Sequence, residues 1–458
     1  MSDARRQPAS FRDRSGFLFT REGRLYRQVN RSYQPDYDLL LSSGMYQDLI
    51  DRELLVSHTE SSEPPADPGL AYRVLEPERI PFVSYPYEWC FGQLKRAALL
   101  TLEIQKRALG HGLSLKDASA YNIQFRGSRP VLIDTLSFER LVEDRPWIAY
   151  RQFCQHFLVP LALMAFVDVR LSQLLRVHID GIPLDLASRL LPARTRLNPA
   201  LTLHIHVHAG AQRRYSGATA APARGRMTRL GHIGVIENLQ AAVRSLQWEP
   251  RGTAWQSYYE ETNYTPAALE QKQSLTDSFL SQARPRVVWD LGANTGMFSR
   301  IASRQGAYTL SIDSDPGAVE VNDRQCVKAA ERSLLPLLID LTNPSPALGW
   351  QNEERASLRE RGPADALLAL ALVHHLAIAN NTPLADIASW FSRLTRWLLL
   401  EFIPKEDSQV QRLLSFRADI FDDYNEAGLE KAFAGAFRIV SRQPIRESAR
   451  TLYLMERR

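Results

Sequence analysis

The segment from residue 286 to residue 296 constrains the fold more than any other part of the chain. It reads Arg-Val-Val-Trp-Asp-Leu-Gly-Ala-Asn-Thr-Gly, an apolar run that ends in an acid and a turn with two glycines. A continuous apolar run is typical of a parallel strand that is buried on both faces. Glycines directly after such a strand let a ligand approach the backbone where a side chain would collide. The segment therefore predicts a strand followed by a ligand-binding turn.

The residues after this turn predict a second strand with an acidic end. A helix is expected from Met297 to Gln305, followed by a strand from Tyr308 to Ile312. Asp313 and Asp315 close this strand about 20 residues after the glycines, the distance at which dinucleotide-binding folds carry their ribose-binding acid. A carboxylate at this place can accept hydrogen bonds from both hydroxyls of a ribose.

Two more apolar runs predict a third and a fourth strand with polar ends. The third, Leu335 to Ile339, is followed by Asp340-Leu341, and the fourth, Ala366 to Val373, by His374-His375. Ligands of open α/β folds bind at the carboxyl ends of the strands. Since all four strands end in polar residues, one sheet edge is expected to carry the site.

With these strand ends, residues 251–458 resemble the class I S-adenosylmethionine-dependent methyltransferases. The resemblance implies a seven-stranded Rossmann-like domain, with its last two strands near 437–440 and 450–455 after a helical region at 409–435. It also implies S-adenosylmethionine as the cofactor. The residues that it assigns to the methionine moiety, the ribose and the adenine are, in chain order, Asp290, Gly292, Asn294 and Gly296, then Asp313, then Asp340 and Leu341.

The spacing of the glycines disfavours a nicotinamide dinucleotide. A diphosphate is cradled by the pattern Gly-x-Gly-x-x-Gly, whereas Gly292 and Gly296 are separated by three residues that include Asn294. A structural turn in a generic α/β domain remains the alternative. A further resemblance, to rhizobial nodulation-type methyltransferases, rests on the run Leu400-Glu401-Phe402-Ile403-Pro404-Lys405.

Three side chains at strand ends are candidates for the catalytic base. A methyltransferase needs to align the acceptor, exclude water and remove a proton from a hydroxyl or an amine. His374 and His375 are the first candidates, because a histidine can titrate near neutral pH. Glu401, after the predicted fifth strand, is the second. A structural, hydrogen-bonded role is the alternative for each of them.

The N-terminal half contains a second motif. After a helix predicted from about Glu88 to Leu109, an acid at 117, an Asn at 122 and an acid at 134 surround a predicted hairpin. This unit resembles the catalytic loop and metal-binding acid of protein-kinase-like and aminoglycoside-phosphotransferase-like folds. The resemblance implies an α+β kinase-like domain with a nucleotide and magnesium site at Asp117, Asn122 and Asp134.

The chain departs from the kinase pattern in several places. Lys116 stands before the predicted catalytic acid, Thr135-Leu136 follow Asp134, and no glycine-rich phosphate loop precedes them. Residues Gly16 to Val29 predict a hairpin that turns at Glu22-Gly23, on which Arg27 is the only basic candidate for the phosphate-binding lysine. An active phosphotransferase, a degenerate or scaffolding domain and an unrelated α+β domain all remain open.

Composition and charge limit the remaining interpretations. The 458 residues carry 56 basic and 51 acidic side chains, a balance that neither indicates nor excludes a nucleic-acid partner. The three cysteines lack the spacing of a metal or disulfide site, and the N-terminus is polar, so we expect a cytoplasmic protein without a membrane span. The basic stretch 209–231 is expected to be a mobile loop or an interdomain linker, with a nucleic-acid contact surface as the alternative, and its arginines are Arg213, Arg214, Arg224, Arg226 and Arg229.

Two further patterns suggest binding sites weakly. His204, His206 and His208 alternate, so on a strand they would face one side, but no neighbouring Cys or carboxylate completes a metal shell, and we predict no metal site. A polar strand or helix is the alternative. An aromatic segment before the first motif predicts either a lid over the cofactor or core packing, and it contains Trp255, Tyr258, Tyr259, Asn263 and Tyr264.

The sequence thus predicts a polar tail at residues 1–15, a kinase-like domain at 16–200, a basic connector at 201–250 and a methyltransferase domain at 251–458. The expected activity is methyl transfer from S-adenosylmethionine to an oxygen or nitrogen of an unidentified acceptor. A bifunctional protein with ATP-dependent phosphotransferase activity is one alternative. A non-enzymatic scaffold is the other.

Overall fold

The structure of the protein is a computed structural model that describes residues 4–209, 227–250, 264–415 and 417–458. The chain divides into two compact units. Unit 1 comprises Met1–Glu249 together with Leu348–Arg355, and unit 2 comprises Pro250–Ala347 together with Ala356–Arg458. The boundary lies close to the predicted start of the methyltransferase domain, but the short segment Leu348–Arg355 belongs to unit 1.

Unit 1 begins with an antiparallel five-stranded sheet in the order β1-β2-β3-β5-β4. Its strands are β1 Arg5–Arg6, β2 Gly16–Arg21, β3 Arg24–Asn30, β4 His58–Glu60 and β5 Ala71–Pro77. The predicted hairpin is present, and its turn residues Glu22 and Gly23 have φ angles of 52° and 77°. Two short antiparallel pairs come next, formed by β6 Leu113–Leu115 with β9 Phe138–Arg140 and by the hairpin of β7 Ile123–Arg126 with β8 Arg129–Leu132.

The helices of unit 1 lie between β3 and β4, before β6 and after β9. Their bounds are Gln34–Ser42, Met45–Asp51, Phe91–Gly110, Tyr150–Phe153, Val159–Phe166, Leu174–Val177, Leu184–Leu190, Pro199–Leu201 and Arg229–Ser245. The long predicted helix is therefore present, three residues later than expected at its start.

Two boundaries predicted in the N-terminal half differ from the structure. Residues Arg5 and Arg6 pair with Thr20 and Phe19, so part of the predicted polar tail is a strand of the sheet. The predicted connector contains the helix Arg229–Ser245, whose residues Ile236 and Leu239 are buried, so this part is not a linker. The other four arginines of the basic stretch lie outside the described residues.

Unit 2 contains a seven-stranded sheet in the order β12-β11-β10-β13-β14-β16-β15. The first five strands of this order are parallel, while β16 is antiparallel to β14 and β15 is antiparallel to β16. The strand bounds are β10 Val287–Leu291, β11 Tyr308–Asp313, β12 Leu334–Leu338, β13 Ala364–Ala369, β14 Thr395–Phe402, β15 Phe437–Pro444 and β16 Thr451–Arg457. Every strand predicted in this half is present, but the fourth ends at Ala369 rather than at Val373, so His374 and His375 follow it by five and six residues.

The helices of unit 2 connect these strands. Their bounds are Pro266–Ala283, Met297–Arg304, Pro316–Lys328, Leu384–Leu394, Ser408–Leu414 and Glu426–Phe433. The helical region predicted at 409–435 is thus two separate helices. The second begins where the Asn425 side chain accepts the backbone N–H of Gly428, and such local bonds favour a new helix start over continuation of the first.

One face of the sheet packs against the helix Pro266–Ala283, which we call the leader helix, and against the helix Met297–Arg304. The buried residues of this layer include Val288, Leu399 and Leu454 from the strands and Phe279 from the leader helix. Alternate residues of a strand point to the same face. The side chains two positions further along β10 and β14 therefore face this helix layer at the carboxyl edge of the sheet. Among the described helices, none combines the length and apolarity needed to cross a membrane.

Candidate functional site

The glycine turn after β10 has a backbone that only small residues can adopt. Gly292 and Gly296 have φ angles of 74° and 79°, and Asn294 between them has a φ of 50°. A Cβ atom at position 292 would lie 3.3 Å from the Leu372 side chain, and one at position 296 would lie 2.6 Å from Asn322. Both space and backbone conformation therefore require glycine at these two positions.

Asp290, the last acid before the turn, is buried in the helix layer. Its carboxylate accepts a hydrogen bond of 2.6 Å from the hydroxyl of Ser299, the third residue of the helix Met297–Arg304. Burial raises the pKa of Asp290 to about 7, because desolvation disfavours the charged form. A ligand cation at this place would favour the carboxylate.

Asp313 ends β11 and is held by the backbone on two sides. Its two oxygens accept the N–H groups of Asn294 and Asp315, each at 2.8 Å. Burial raises its pKa to about 6. Asp315, the other acid of this strand end, instead caps the next helix by accepting the N–H groups of Gly317 and Ala318. Of the two acids, Asp313 is therefore the one that can serve a ligand.

A cavity of about 330 Å³ lies at this edge of the sheet. Cavities of this size accommodate small ligands and cofactors. Seven of the ten residues predicted for the cofactor site and the catalytic base line it, namely Asp290, Gly292, Asn294, Asp313, Asp340, Leu341 and His375. Gly296, His374 and Glu401 do not belong to the lining. Residues lining the cavity that the sequence did not single out include Leu269, Lys272, Phe298, Ser314, Thr342 and Asn380.

The two adjacent histidines have different environments. His375 faces the cavity, and burial lowers its pKa to about 4. His374 is buried further, and burial lowers its pKa well below the ordinary value, with a contribution from His375. Its Nδ1 atom has no hydrogen-bond partner within the described parts of the chain. Both rings are therefore neutral at neutral pH, and only His375 can meet a ligand in the cavity.

Glu401, the third predicted base, takes part in a buried ionic network. Its carboxylate lies 2.8 Å from the ammonium group of Lys272, accepts the hydroxyl of Tyr264, and lies 3.8 Å from the guanidinium of Arg450. Arg450 in turn contacts Asp407 at 2.9 Å. Burial lowers the pKa of Lys272 and raises that of Glu401 to about 7, because desolvation disfavours the charged form of each group. Glu401 therefore supports Lys272, which does line the cavity.

Sequence reasoning missed Lys272, although a signal was present. The buried positions of the leader helix include Ala268, Lys272, Thr276 and Leu280, which recur every four residues on one face. A lysine in the middle of such a stripe points to the core rather than to solvent. Of the predicted aromatic lid, Tyr264 lines the cavity, and the other members lie outside the described residues.

The three predicted residues of the kinase-like site lie close together in unit 1. The Asp117 carboxylate accepts the backbone N–H of Ser119 at 2.9 Å, the amide of Gln152 at 2.8 Å and the amide of Asn122. Burial raises the pKa of Asp117, and the nearby Asp134 adds to this effect. These three residues, which are separated along the chain, thus form one cluster in the fold.

An internal cation occupies this cluster. Arg27 of β3 donates to Asp134, which also accepts the hydroxyl of Ser137 at 2.5 Å and the N–H of Leu136 at 3.2 Å. Burial opposes ionisation of Asp134, but the guanidinium outweighs it and lowers the pKa of the carboxyl. Because the Arg27 guanidinium already supplies the positive charge that faces Asp134, the donor set does not fit a divalent cation in this structure.

The alternating histidines do not form a strand. Residues Thr202–Val207 form a π-helical turn, so the three side chains do not share one face as alternation on a strand would require. His204 contacts the hydroxyl of Tyr150 at 2.6 Å and Asn238 at 2.7 Å. The expectation of a polar strand or helix is therefore met in its helical form.

The strand order and the edge site define the class of unit 2. Five parallel strands in the order 3-2-1-4-5, followed by a terminal antiparallel pair, form the sheet of class I methyltransferases, and the glycine turn lies after the first of them. The whole chain belongs to the family of the nodulation protein NoeA of Rhizobium meliloti (strain 1021). It is 36% identical to that protein over 461 residues, which cover 99% of this chain and 96% of the relative.

Other comparisons are less similar. No family model matches the chain. Among solved structures, magnesium protoporphyrin IX methyltransferase ChlM from Synechocystis PCC 6803 with bound SAH is 17% identical over 44% of this chain and 93% of its own, with a TM-score of 0.32. The N-methyltransferase NodS from Bradyrhizobium japonicum WM9 is 12% identical over 42% of this chain and 97% of its own, with a TM-score of 0.32.

A co-crystal structure of WbdD with the kinase inhibitor LY294002 is 18% identical. The match covers 41% of this chain and 40% of WbdD, with a TM-score of 0.29. At such scores the alignments add nothing to the topology, so the class assignment of unit 2 depends on its strand order.

Proposed function

We propose that unit 2 binds S-adenosylmethionine at the carboxyl edge of its sheet and transfers the methyl group to an oxygen or nitrogen of an acceptor. The observation that carries this proposal is the convergence of the glycine turn and Asp313 on one cavity. The turn removes side chains from the path of the ligand, and the acid supplies an acceptor for a ribose hydroxyl.

The residues fit such a donor. Asp313 accepts the backbone N–H groups of Asn294, Ser314 and Asp315, and since a carboxylate has about four acceptor positions, one remains for a ribose hydroxyl. Ile339, Leu341 and Leu372 give the cavity apolar walls against which a purine can pack. Asp340, which the family resemblance assigns to the adenine, accepts the N–H and the hydroxyl of Thr342, and these bonds orient its carboxylate.

The bound donor supplies an already activated methyl group. The protein therefore has to orient the donor, exclude water and accept a proton from the acceptor. His375 is the predicted base that reaches the cavity, and its imidazole is neutral at neutral pH and so can accept a proton. Since His374 and Glu401 do not line the cavity, a catalytic role for either stays a prediction that requires the structure to move.

Calorimetric titration of the full-length protein with S-adenosylmethionine tests this proposal. We expect one site per chain, and we expect the demethylated product to compete for it. A titration with NADH under the same conditions is the control for the alternative of a generic nucleotide-binding fold. Absence of heat with the methyl donor, from protein that melts cooperatively, would contradict the proposal.

A second candidate function concerns unit 1, and it is favoured by the clustering of Asp117, Asn122 and Asp134. We infer a kinase-like domain whose site is neutralised internally by Arg27. In this form it serves as a scaffold, whereas an ATP-dependent phosphotransferase would require Arg27 to leave Asp134. Titration with ATP and magnesium distinguishes these two states of the domain, because only the second binds the nucleotide.

The acceptor, the location and a nucleic-acid partner stay at the level of prediction. A cytoplasmic location is consistent with the three isolated cysteines, all of which are buried. Incubation of cell extract with labelled methyl donor and the purified protein, followed by mass analysis of the labelled product, would identify the acceptor class.

A further inference from the structure

The charges that face the cavity are unevenly distributed. Three carboxyl groups line it, those of Asp290, Asp313 and Asp340. Among the described residues of the lining, Lys272 is the only lysine or arginine, and His375 is held neutral. Any negative group of a ligand in this cavity therefore has one side-chain cation available from the described part of the chain.

Lys272 lies where an apolar residue would be expected. It occupies the buried stripe of the leader helix between Ala268 and Thr276, and only 4% of its side chain is exposed. Replacing a buried ion pair by apolar residues of similar size is often neutral or stabilising. Stability alone therefore does not explain the pair of Lys272 and Glu401, and its position at the cavity indicates a role in ligand binding.

The two members of this pair are placed differently with respect to the cavity. Lys272 belongs to the lining of the cavity, whereas Glu401 does not and is fully buried. Both Glu401 and Asp290 point into the helix layer, because each lies two positions after a core residue of its strand. The leader helix thus presents a cation beside the acid of the glycine turn, with Glu401 as its buried counterion.

The ammonium group is also held in a defined direction. Its hydrogen-bond partners within the described ranges are Glu401 at 2.8 Å and the hydroxyl of Tyr264 at 3.2 Å, and it lies 4.6 Å from the ring centroid of Phe298. An ammonium group has three N–H donors, so one remains for a ligand. Tyr264 is held in turn by Glu401 and by the guanidinium of Arg450, 4.4 Å from its ring centroid.

We propose that Lys272 binds the amino-acid carboxylate of the methyl donor while Asp290 receives its ammonium group, and that Glu401 and Tyr264 position Lys272. This inference rests on the proposed function, because it assigns the zwitterionic end of the same ligand. The arrival of a carboxylate favours the charged form of a lysine whose pKa burial has lowered. The remaining N–H donor and the burial of the ammonium group thus both suit an anionic partner.

The test compares S-adenosylmethionine with its decarboxylated form, which lacks the carboxylate and keeps the sulfonium, ribose and adenine. We expect the wild-type protein to bind the complete donor about 10- to 100-fold more tightly, the factor typical of a charge-assisted hydrogen bond. Calorimetric titration of both ligands measures this preference. Equal affinities would overturn the assignment of Lys272, whereas binding of neither ligand would remove the proposed function itself.

A double variant assigns the preference to the lysine. Lys272→Met alone leaves the buried Glu401 with only Arg450, 3.8 Å away, as a counterion, so Lys272→Met/Glu401→Gln is the better variant because it removes both members of the pair. We expect the dissociation constants of this double variant for the two ligands to differ by no more than about threefold. The change should come from weaker binding of the complete donor, while the affinity for the decarboxylated form stays the same. The matched control is Asp313→Asn, which should weaken both ligands equally and retain the preference.

A crystal structure of the wild-type protein with S-adenosylmethionine provides an answer that does not depend on the variants. We expect a carboxylate oxygen within hydrogen-bonding distance of Lys272 Nζ. A carboxylate placed against backbone N–H groups or solvent, with the rest of the donor in the cavity, would overturn this inference and leave the proposed function intact.

Discussion

At the scale of single residues, the candidate site consists of polar groups that other groups hold in place. Asp313 is fixed by two backbone N–H groups, and Asp290 by the hydroxyl of Ser299. Burial raises the pKa of both acids, to about 6 and about 7. Protein groups thus orient these carboxyls before a ligand arrives, and desolvation makes them sensitive to pH near neutrality.

The first prediction at this scale concerns Asp313. Asp313→Ala should weaken binding of S-adenosylmethionine by about 1 to 3 kcal/mol, because it removes a charge-assisted hydrogen bond to the ribose. Calorimetric titration measures the change. Asp277→Asn is a suitable control, since Asp277 lies on an exposed face of the leader helix and does not line the cavity. An unchanged dissociation constant in Asp313→Ala would count against the ribose assignment.

The second prediction is a pH dependence with a defined sign. An acid with a raised pKa keeps its proton up to about that pH, so a ligand that needs the carboxylate must displace the proton. Affinity for S-adenosylmethionine should therefore increase from pH 5 to pH 7.5, by up to about tenfold per pH unit for each group, and become constant above. Titrations at several pH values test this, and Asp313→Asn should show a shallower slope. A flat wild-type profile would exclude a role for ionised Asp313 and Asp290.

At the scale of elements, the site depends on the end of one strand and on the turn that leaves it. The turn after β10 needs a left-handed backbone at Gly292, and the added atom of any other residue would approach Leu372. The leader helix supplies the opposite wall through Tyr264, Leu269 and Lys272. A strand end and a helix from different parts of the sequence thus enclose one cavity.

The glycine turn permits a matched pair of variants. Gly292→Val should abolish detectable binding of the cofactor, because its side chain enters the cavity wall. Gly306→Val introduces the same kind of backbone strain, about 1 to 2 kcal/mol at a φ of 91°, in open space and away from the cavity. It should keep the affinity. Calorimetry and thermal melting compare the two, and equal affinities would remove the turn from the site.

The buried pair between the leader helix and β14 should be energetically coupled. Lys272→Met and Glu401→Gln should each lower the free energy of unfolding, by about 3 to 5 kcal/mol for the lysine variant, because each removes one member of a buried ion pair. The double variant should lose less than the sum of the two. Denaturant unfolding of all four proteins measures the coupling, and additive losses would indicate that the contact is not formed in solution.

At the scale of the whole molecule, the chain combines two units with different kinds of polar cluster. Unit 2 has a cavity that polar groups line. In unit 1, by contrast, Asp134 is paired with Arg27, and Asp117 accepts hydrogen bonds from Gln152 and the backbone. The family relationship to the nodulation protein NoeA extends over 99% of the chain and so includes both units. The two units are therefore retained together in at least one relative.

The prediction at this scale separates the two units. Asp134→Asn should leave the affinity for S-adenosylmethionine unchanged within about twofold, while it destabilises the protein because Arg27 loses its charged partner. Calorimetry with the methyl donor, and separately with ATP and magnesium, tests this. Loss of donor binding without loss of stability would instead indicate that the chemistry of the two units is coupled.

The sequence by itself determined the strands of unit 2, their polar ends and the glycine turn. These features come from local rules, since apolar runs, strand periodicity and glycine conformation depend on neighbouring residues. The same rules located Asp290, Asp313 and Asp340, because the carboxyl ends of parallel strands meet at one edge whatever the details of packing.

Only the tertiary structure decided which of these residues face a ligand. His375 lines the cavity, whereas His374 beside it and Glu401 within β14 are buried in the core, and Lys272 reaches the cavity from a helix that the sequence did not connect with it. Likewise, Arg27 and Asp134 are far apart in the chain and meet only when β3 packs near the hairpin β7–β8. The physical reason is that pairing between distant segments depends on packing across the fold, which local sequence patterns do not encode.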